Sequence, residues 1–245
     1  MILYSHNVIL VALSYAVAVL GSYTALQLAL DIPRAHSRRD KNRAILRSAA
    51  VMGCGAIWSM HFIAMLAFDM DMPASYDILI TLVSALISVG ACAAGLFIAT
   101  MGSFRLDNLM PAGCIMGCGV AGMHYCGMAA MLMPAEIEYD LNILLVSVII
   151  AAVASKAALW LAFRTRGHLQ KLASALAMGV AVCGMHYTGM AAASFSHTGT
   201  APGDMGMGSI SGSYLGIATF AISVALLVWV LKNSLARDKP VPAAR

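Results

Sequence analysis

Seven apolar runs, each close to the roughly 20 residues that a helix needs to cross a bilayer, constrain this chain more than any other feature. They lie near 8–30, 45–68, 78–100, 109–132, 141–163, 171–195 and 210–231. The sequence is 61% hydrophobic and 11% charged, too few charges to coat such a surface in water, where about 25% is usual. In lipid every backbone group must be bonded within the protein, so apolar spans of this length fold as helices. The expected class is an all-α membrane protein of seven transmembrane helices. The first run has no basic segment before it and is too long for a signal-peptide core, so it reads as a retained span.

Charge gives the orientation. The connection after the first span holds Arg34, Arg38, Arg39, Lys41 and Arg43, with Arg47 just inside span two. Arg105, then Arg164, Arg166 and Lys171, and finally Lys232, Arg237, Lys239 and Arg245 fall on the same side. The opposite connections hold no Lys or Arg, and instead carry Asp69, Asp71, Asp77, Glu136, Glu138, Asp140 and Asp204. By the positive-inside rule the N-terminus is outside and the C-terminus cytoplasmic. The net charge of +4 is therefore a topology signal, and no nucleic-acid partner is implied. Lys156, about two turns inside span five, is expected to snorkel its ammonium to the inner interface.

Three of the spans carry a histidine in the same setting: WSMHFIAM (Trp58 to Met65), AGMHYCGM (Ala121 to Met128) and CGMHYTGM (Cys183 to Met190). His61, His124 and His186 lie 63 and 62 residues apart. The repeat pairs spans two and three, four and five, six and seven, so the fold is three two-helix repeats plus one N-terminal helix. Each repeat crosses the membrane twice, which makes the three motif helices parallel and puts all three histidines about 10–14 Å below the outer helix ends. An ionisable group inside a bilayer is costly and marks a functional site by default. Glycines beside the motifs, including Gly113, Gly117, Gly122, Gly127, Gly184 and Gly189, allow close helix approach.

Each histidine has a methionine before it and another one turn after it on the same helix face. Imidazole and thioether together suit copper, and the absence of a carboxylate argues against calcium or magnesium. Of 18 methionines, 12 lie in the outer part of the spans or in outer connections, Met70, Met72, Met131, Met133, Met205 and Met207 among them. Haem held by two of the histidines is the alternative cofactor. Tyr125 and Tyr187, directly after their histidines, are expected as aromatic-belt anchors or as groups that fix a histidine tautomer. Cys126 lies two residues from His124. All six cysteines fall in spans, so no disulfide framework is implied. Ser196 to Ser209 reads as a Gly-rich linker. With no carboxylate in any span, an enzyme is not expected. A transporter would need ligands at several depths, whereas the histidines share one.

At these residues the chain resembles the MHYT-domain family of bacterial integral-membrane sensors, across all seven spans. Phe62 and Ile63 stand in the first copy where the family has Tyr and Thr, and Cys126 stands for Thr in the second. The resemblance implies copper near the outer face of the inner (cytoplasmic) membrane, held by Met60, His61, Met65, Met123, His124, Met128, Met185, His186 and Met190. It implies sensing of oxygen, carbon monoxide, nitric oxide or another diatomic gas, and output through cytoplasmic modules such as cyclic-di-GMP synthases and phosphodiesterases. Residues 1–231 then form the sensor domain. Residues 232–245 form a short cytoplasmic tail that hands the signal to an output domain or a partner.

Overall fold

A computed structural model gives the fold, describing residues 5–70, 74–102, 106–164, 167–197 and 208–237. Met72, Met205, Met207, Asp71, Asp204, Arg105, Arg166, Lys239 and Arg245 lie outside the described residues. The described residues form seven helices: α1 (Val8–Ala29), α2 (Arg38–Leu66), α3 (Ile78–Ala99), α4 (Leu106–Ala129), α5 (Leu141–Arg164), α6 (His168–Ala191) and α7 (Gly212–Arg237). The first six are long and apolar enough to cross a membrane, and α7 has an apolar stretch over Gly212–Leu226. The protein is an all-α membrane protein.

The basic segment expected as a connection is the start of α2. The Ser37 hydroxyl accepts the Asp40 N–H at 3.1 Å and donates to the Asp40 carboxylate at 2.6 Å. This cap satisfies a donor that a helix start otherwise leaves unpaired, so Arg38, Arg39, Lys41 and Arg43 occupy helical turns. Helices α1, α3 and α5 start in one shared way. The side chains of Asn7, Asp77 and Asp140 accept from the first free backbone N–H groups, of Ile9 at 3.0 Å, Ile80 at 2.8 Å and Asn142 at 2.8 Å. Seven residues after each cap stands a serine, Ser14, Ser84 or Ser147. All three are fully buried, and each donates to the carbonyl three residues back at 2.7 Å. Helix α7 has Ala218 at that position.

Packing follows this signature. The motif helices α2, α4 and α6 form the centre; α3 packs on α2 and α4, α5 on α4 and α6, and α1 on α6 and α2. The N-terminal helix, unpaired in the sequence repeat, thus completes a ring with near three-fold symmetry. Helix α7 leans on α2 and α1 from outside that ring. Hydrogen bonds tie α1 into its place: Tyr15 Oη donates to the Leu176 carbonyl at 3.3 Å, Ser48 Oγ to the Ala25 carbonyl at 3.0 Å, and Lys171 Nζ to Gln27 Oε1 at 3.1 Å. The Lys156 stem lies across Gly113 of α4, in space that a side chain there would fill.

One motif helix differs from the other two. Residues Val51–Trp58 of α2 form a π-helix, with the Ser59 N–H reaching back to the Cys54 carbonyl. The cause is in the sequence: Met52 precedes His61 by nine residues, whereas Met116 and Met178 precede His124 and His186 by eight. One inserted residue is absorbed as a widened turn, which keeps both ends of α2 in phase with α4 and α6. Three serines serve its carbonyls. Ser88 donates to Gly53 at 3.0 Å, Ser59 to Cys54 at 2.6 Å and Ser223 of α7 to Gly55 at 3.5 Å.

The acidic connections, expected as plain loops, pair as short antiparallel strands at the C-terminal ends of the motif helices. Strand β1 (Ser5–His6) pairs with β2 (Phe68–Asp69). Strand β3 (Ser75–Asp77) lies between β4 (Met131–Leu132) and β7 (Ser209–Ser211). Strand β5 (Ala135–Tyr139) pairs with β6 (Ala193–His197). The expected Ser196–Ser209 linker therefore begins and ends in strands. Residues 198–207 between them lie outside the described ones, as do 238–245 of the expected tail, whose first residues continue α7 to Arg237. Buried Phe68, Tyr76 and Phe195 anchor this cap on the bundle.

A deletion series tests the widened turn. Removing Ile57 restores the eight-residue spacing of the other copies, and the solubilised protein is expected to remain folded and monodisperse. Removing Val120, in a helix with no widened turn, rotates His124 by about 100° from its partners and is expected to abolish folding. Equal behaviour of the two deletions on gel filtration and thermal unfolding would rule out the spacing explanation.

Candidate metal centre

The ring of helices brings His61, His124 and His186 together on its axis. They are 0%, 0% and 1% exposed. Every pair of rings stands 5.1 Å apart between centroids, with planes at 87°, 80° and 90°. The Nδ1 atom of His61 lies 3.1 Å from that of His186 and 3.2 Å from that of His124, and ligand atoms of all three lie within 4.8 Å of one another.

Protons alone do not satisfy this cluster. A neutral imidazole has one N–H and one lone pair, so an Nδ1 that donates cannot also accept. If His61 donates, its single proton answers one neighbour and leaves the other lone pair unmet; if both neighbours donate, two protons compete for one lone pair; if none donates, all three lone pairs converge. The outer edges are equally constrained. The Nε2 atoms of all three histidines are buried without a hydrogen-bond partner, a cost of about 1–3 kcal/mol each for a neutral buried group. Two of them sit against glycine: His61 Nε2 and His124 Nε2 occupy the space that a Cβ on Gly127 and on Gly189 would need. Each of these histidines is thus seated on the glycine three residues past the histidine of the next copy.

A cation at the centre resolves the convergence. Nitrogens bound to one ion at about 2.0–2.1 Å stand about 3.3–3.6 Å apart in tetrahedral or trigonal geometry, close to the separations seen here. With Nδ1 facing inward as a ligand, the imidazole proton belongs on Nε2, at the glycine seats. The residues present fit a three-histidine metal site.

The other residues singled out from the sequence are arranged unequally. Met60, Met65, Met123, Met128, Met185 and Met190 are all buried, and Met60 packs with Ala18, Ala64 and Cys183. The Tyr125 ring lies edge-on to His124 at 4.8 Å, and its hydroxyl bonds Ser147 of α5 at 2.6 Å rather than a histidine nitrogen. The buried Tyr187 hydroxyl lies beside Ser14 of α1. In the first copy Phe62 has no hydroxyl, and Trp58 Nε1 donates to Ser84 at 3.0 Å instead. The three buried serines therefore each receive an aromatic group from a motif helix. Cys126 is also directed outward, its thiol donating to the Ile80 carbonyl of α3 at 3.7 Å.

Sequence reasoning missed the serines, Trp58 and the seat function of Gly127 and Gly189. The cap-to-serine spacing, repeated at 7–14, 77–84 and 140–147, was the available signal. Above the centre, the cap is apolar and aromatic: His6 is edge-on to Tyr187 at 5.8 Å, and Tyr139 to Tyr125 at 5.5 Å. Burial, with Tyr125 nearby, pushes the Tyr139 phenol up to about 12, so it is neutral at physiological pH.

The seats give a paired prediction. Gly189→Ala forces a methyl into His124 and is expected to destabilise the solubilised protein by about 1–3 kcal/mol, as overpacking does. Gly184→Ala, on the same helix with nothing within 4 Å of the added carbon, is expected to leave thermal stability unchanged or slightly raised. Equal effects of the two substitutions would remove the seat assignment.

Comparison with known proteins agrees with this arrangement of three copies. A family model described as "MHYT: Bacterial signalling protein N terminal repeat" matches residues 53–112, 117–175 and 179–239. The chain is 42% identical over 243 residues to the bifunctional diguanylate cyclase/cyclic di-GMP phosphodiesterase MucR of Pseudomonas aeruginosa, covering 96% of this chain and 35% of that protein. It is 31% identical over 240 residues to the signaling protein YkoW of Bacillus subtilis, covering 94% of this chain and 28% of that one. With the cyclic di-GMP phosphodiesterase NbdA of Pseudomonas aeruginosa it shares 38% identity over 189 residues, 75% of this chain and 24% of that one. The chain thus spans about a third of the length of these curated relatives, or less. No solved structure matches. The family match covers three successive repeats and most of the sequence, and the chain belongs to the MHYT family of bacterial signalling proteins, as a membrane-embedded sensor region.

Proposed function

We propose that this region binds one copper ion through His61, His124 and His186, and that a diatomic gas such as oxygen, carbon monoxide or nitric oxide alters the centre and so the helix packing. The observation that carries the reading is the convergence of three buried Nδ1 atoms from three different helices. When bound, copper supplies an electron-rich centre with a position open to a small ligand. The chain's own residues exclude water, hold the imidazoles on glycine seats and keep the site free of carboxylates.

Other occupants fit less well. Haem ligated by two of these histidines needs a macrocycle between imidazoles, and rings 5.1 Å apart leave no slot for one. Zinc accepts three histidines but makes no use of thioethers, and six buried methionines stand one residue before or one turn after the histidines. A transporter reading is disfavoured because the histidines form a single level.

The basic ends of the helices support, by the positive-inside rule, a cytoplasmic position for that side, with the strand cap outside, in the bacterial inner membrane. Two of the relatives are named for cyclic di-GMP turnover, so the natural output is a cytoplasmic module of that kind, attached or recruited. Helix α7 is the route: it ends on the cytoplasmic side and touches the widened turn of α2 through Ser223 and the Gly55 carbonyl.

Elemental analysis after Cu(I) reconstitution is expected to give about one copper per chain, with each of His61→Ala, His124→Ala and His186→Ala lowering affinity more than about 100-fold. Zinc retained in preference to copper, or a Soret band, would replace the copper reading. For signalling, thiol labelling at Asn233→Cys is expected to change when carbon monoxide is added to copper-loaded protein, and to stay constant in His124→Ala. Labelling indifferent to oxygen, carbon monoxide and nitric oxide would leave a static metal-binding domain.

A further inference from the structure

The helix face that carries the histidines continues toward the basic end of the bundle as two more levels. Four residues before each histidine stand Ile57, Val120 and Val182; eight or nine before stand Met52, Met116 and Met178. All six line one internal cavity of about 30 Å³, which also reaches Met185, the neighbour of His186. By the same measure, about 10–15 Å³ admits one water-sized molecule. With a rise of 1.5 Å per residue, these levels lie about 6 and 12 Å beneath the histidines, so the cavity sits on the axis of the ring.

We infer that this cavity is a chamber for a neutral apolar diatomic, from which the gas approaches the histidine centre, an inference that rests on the sensor reading above. Its walls are aliphatic and thioether groups with two hydroxyls, Ser22 and Ser155; cavities that stay empty of water are the apolar ones, a larger example of about 150 Å³ taking up xenon. A second soft metal ion is the competing occupant, since four methionines line the space. Ligand chemistry argues against it: no imidazole, thiolate or carboxylate joins the thioethers in the cavity lining. Lys156 is the neighbour of Ser155 in sequence, and its stem crosses Gly113, one turn from Met116. Its positive charge, one residue from the lining, adds to the cost of a cation there.

The entrance is lateral. Of the lining residues, Ala154 of α5 and Ala181 and Val182 of α6 are only half-buried, while those from α1, α2 and α4 are buried. The cavity therefore approaches the bundle surface along the α5–α6 seam, at a depth where the surroundings are hydrocarbon. An apolar gas favours that phase over water, so it enters from the bilayer and bypasses the strand cap.

The test uses the full chain in lipid nanodiscs with xenon as the probe. Xenon under pressure is expected to occupy the chamber, seen by crystallography or ¹²⁹Xe NMR, with or without copper, and Ala151→Leu is expected to displace it. Ordered water or copper in the chamber, or no xenon in the unaltered protein, would overturn the inference. In copper-loaded protein, Ala154→Phe is expected to slow carbon monoxide association by about tenfold with copper content unchanged; an unaltered rate would overturn the lateral entrance. The two readings fail separately. Xenon in the chamber with no carbon monoxide bound to copper-loaded protein retires the gas sensor and leaves an apolar cavity. Carbon monoxide binding with no xenon retires the chamber and keeps the sensor.

Discussion

Three imidazole nitrogens meeting at one place, buried away from water, are the constraint around which this molecule is organised. A polar group buried in hydrocarbon is held only where its surroundings over-determine it, and here the determination comes from outside the motif as much as from within it. Each motif helix is wedged between two plain helices, and each plain helix presents a buried serine to an aromatic side chain of a motif helix. Those contacts fix the rotation of the motif helices. Rotation in turn fixes where the imidazoles point, because in a helix a change of one residue turns a side chain by about 100°.

The same constraint explains the widened turn in α2. An inserted residue in a surface helix of a soluble protein is shed at a loop with little consequence. In a ring whose members must match at two levels, the histidines and the methionines beneath them, the helix has to absorb the insertion between those levels. A π-helical stretch does so and leaves carbonyls poorly paired within the helix. Serines on α2 itself, α3 and α7 then complete them. The cost of irregular backbone in lipid is offset by hydroxyls, which is the general way such irregularity is tolerated there.

Much of this was legible in the residues. The seven helices were readable because length and hydropathy are what a bilayer selects on, and six of them are long and apolar enough to cross one. The meeting of His61, His124 and His186 was readable because equal period and parallel direction give equal depth. What escaped was local and depended on counting differently. Histidine-to-histidine spacing hides the insertion, which shows only between Met52 and His61. The place of α1 in the ring escaped because the motifs draw the eye to a repeat that begins with them, whereas Asn7 and Ser14 mark α1 as the partner of α3 and α5. The strands escaped because they are two to five residues long and carry no alternation that stands out from an acidic loop. Tyr125 and Cys126 were singled out by adjacency to His124; the Tyr125 ring stays against that histidine, while its hydroxyl and the Cys126 thiol go to Ser147 and the Ile80 carbonyl.

Helix α7 rests on one motif helix of the three. A ring of three like parts that tightens or loosens evenly has no direction in which to push, so whatever happens at its axis stays isotropic. The contact between Ser223 and the widened turn of α2 breaks that evenness, because the strut on the outside bears on the motif helix that carries the π-helical stretch. The strut therefore meets the ring at the copy least like its siblings, the one with Phe62, Ile63 and Ala64 in place of the residues of the other two. Near-symmetry makes the centre, and the departure from it gives the centre a bearing.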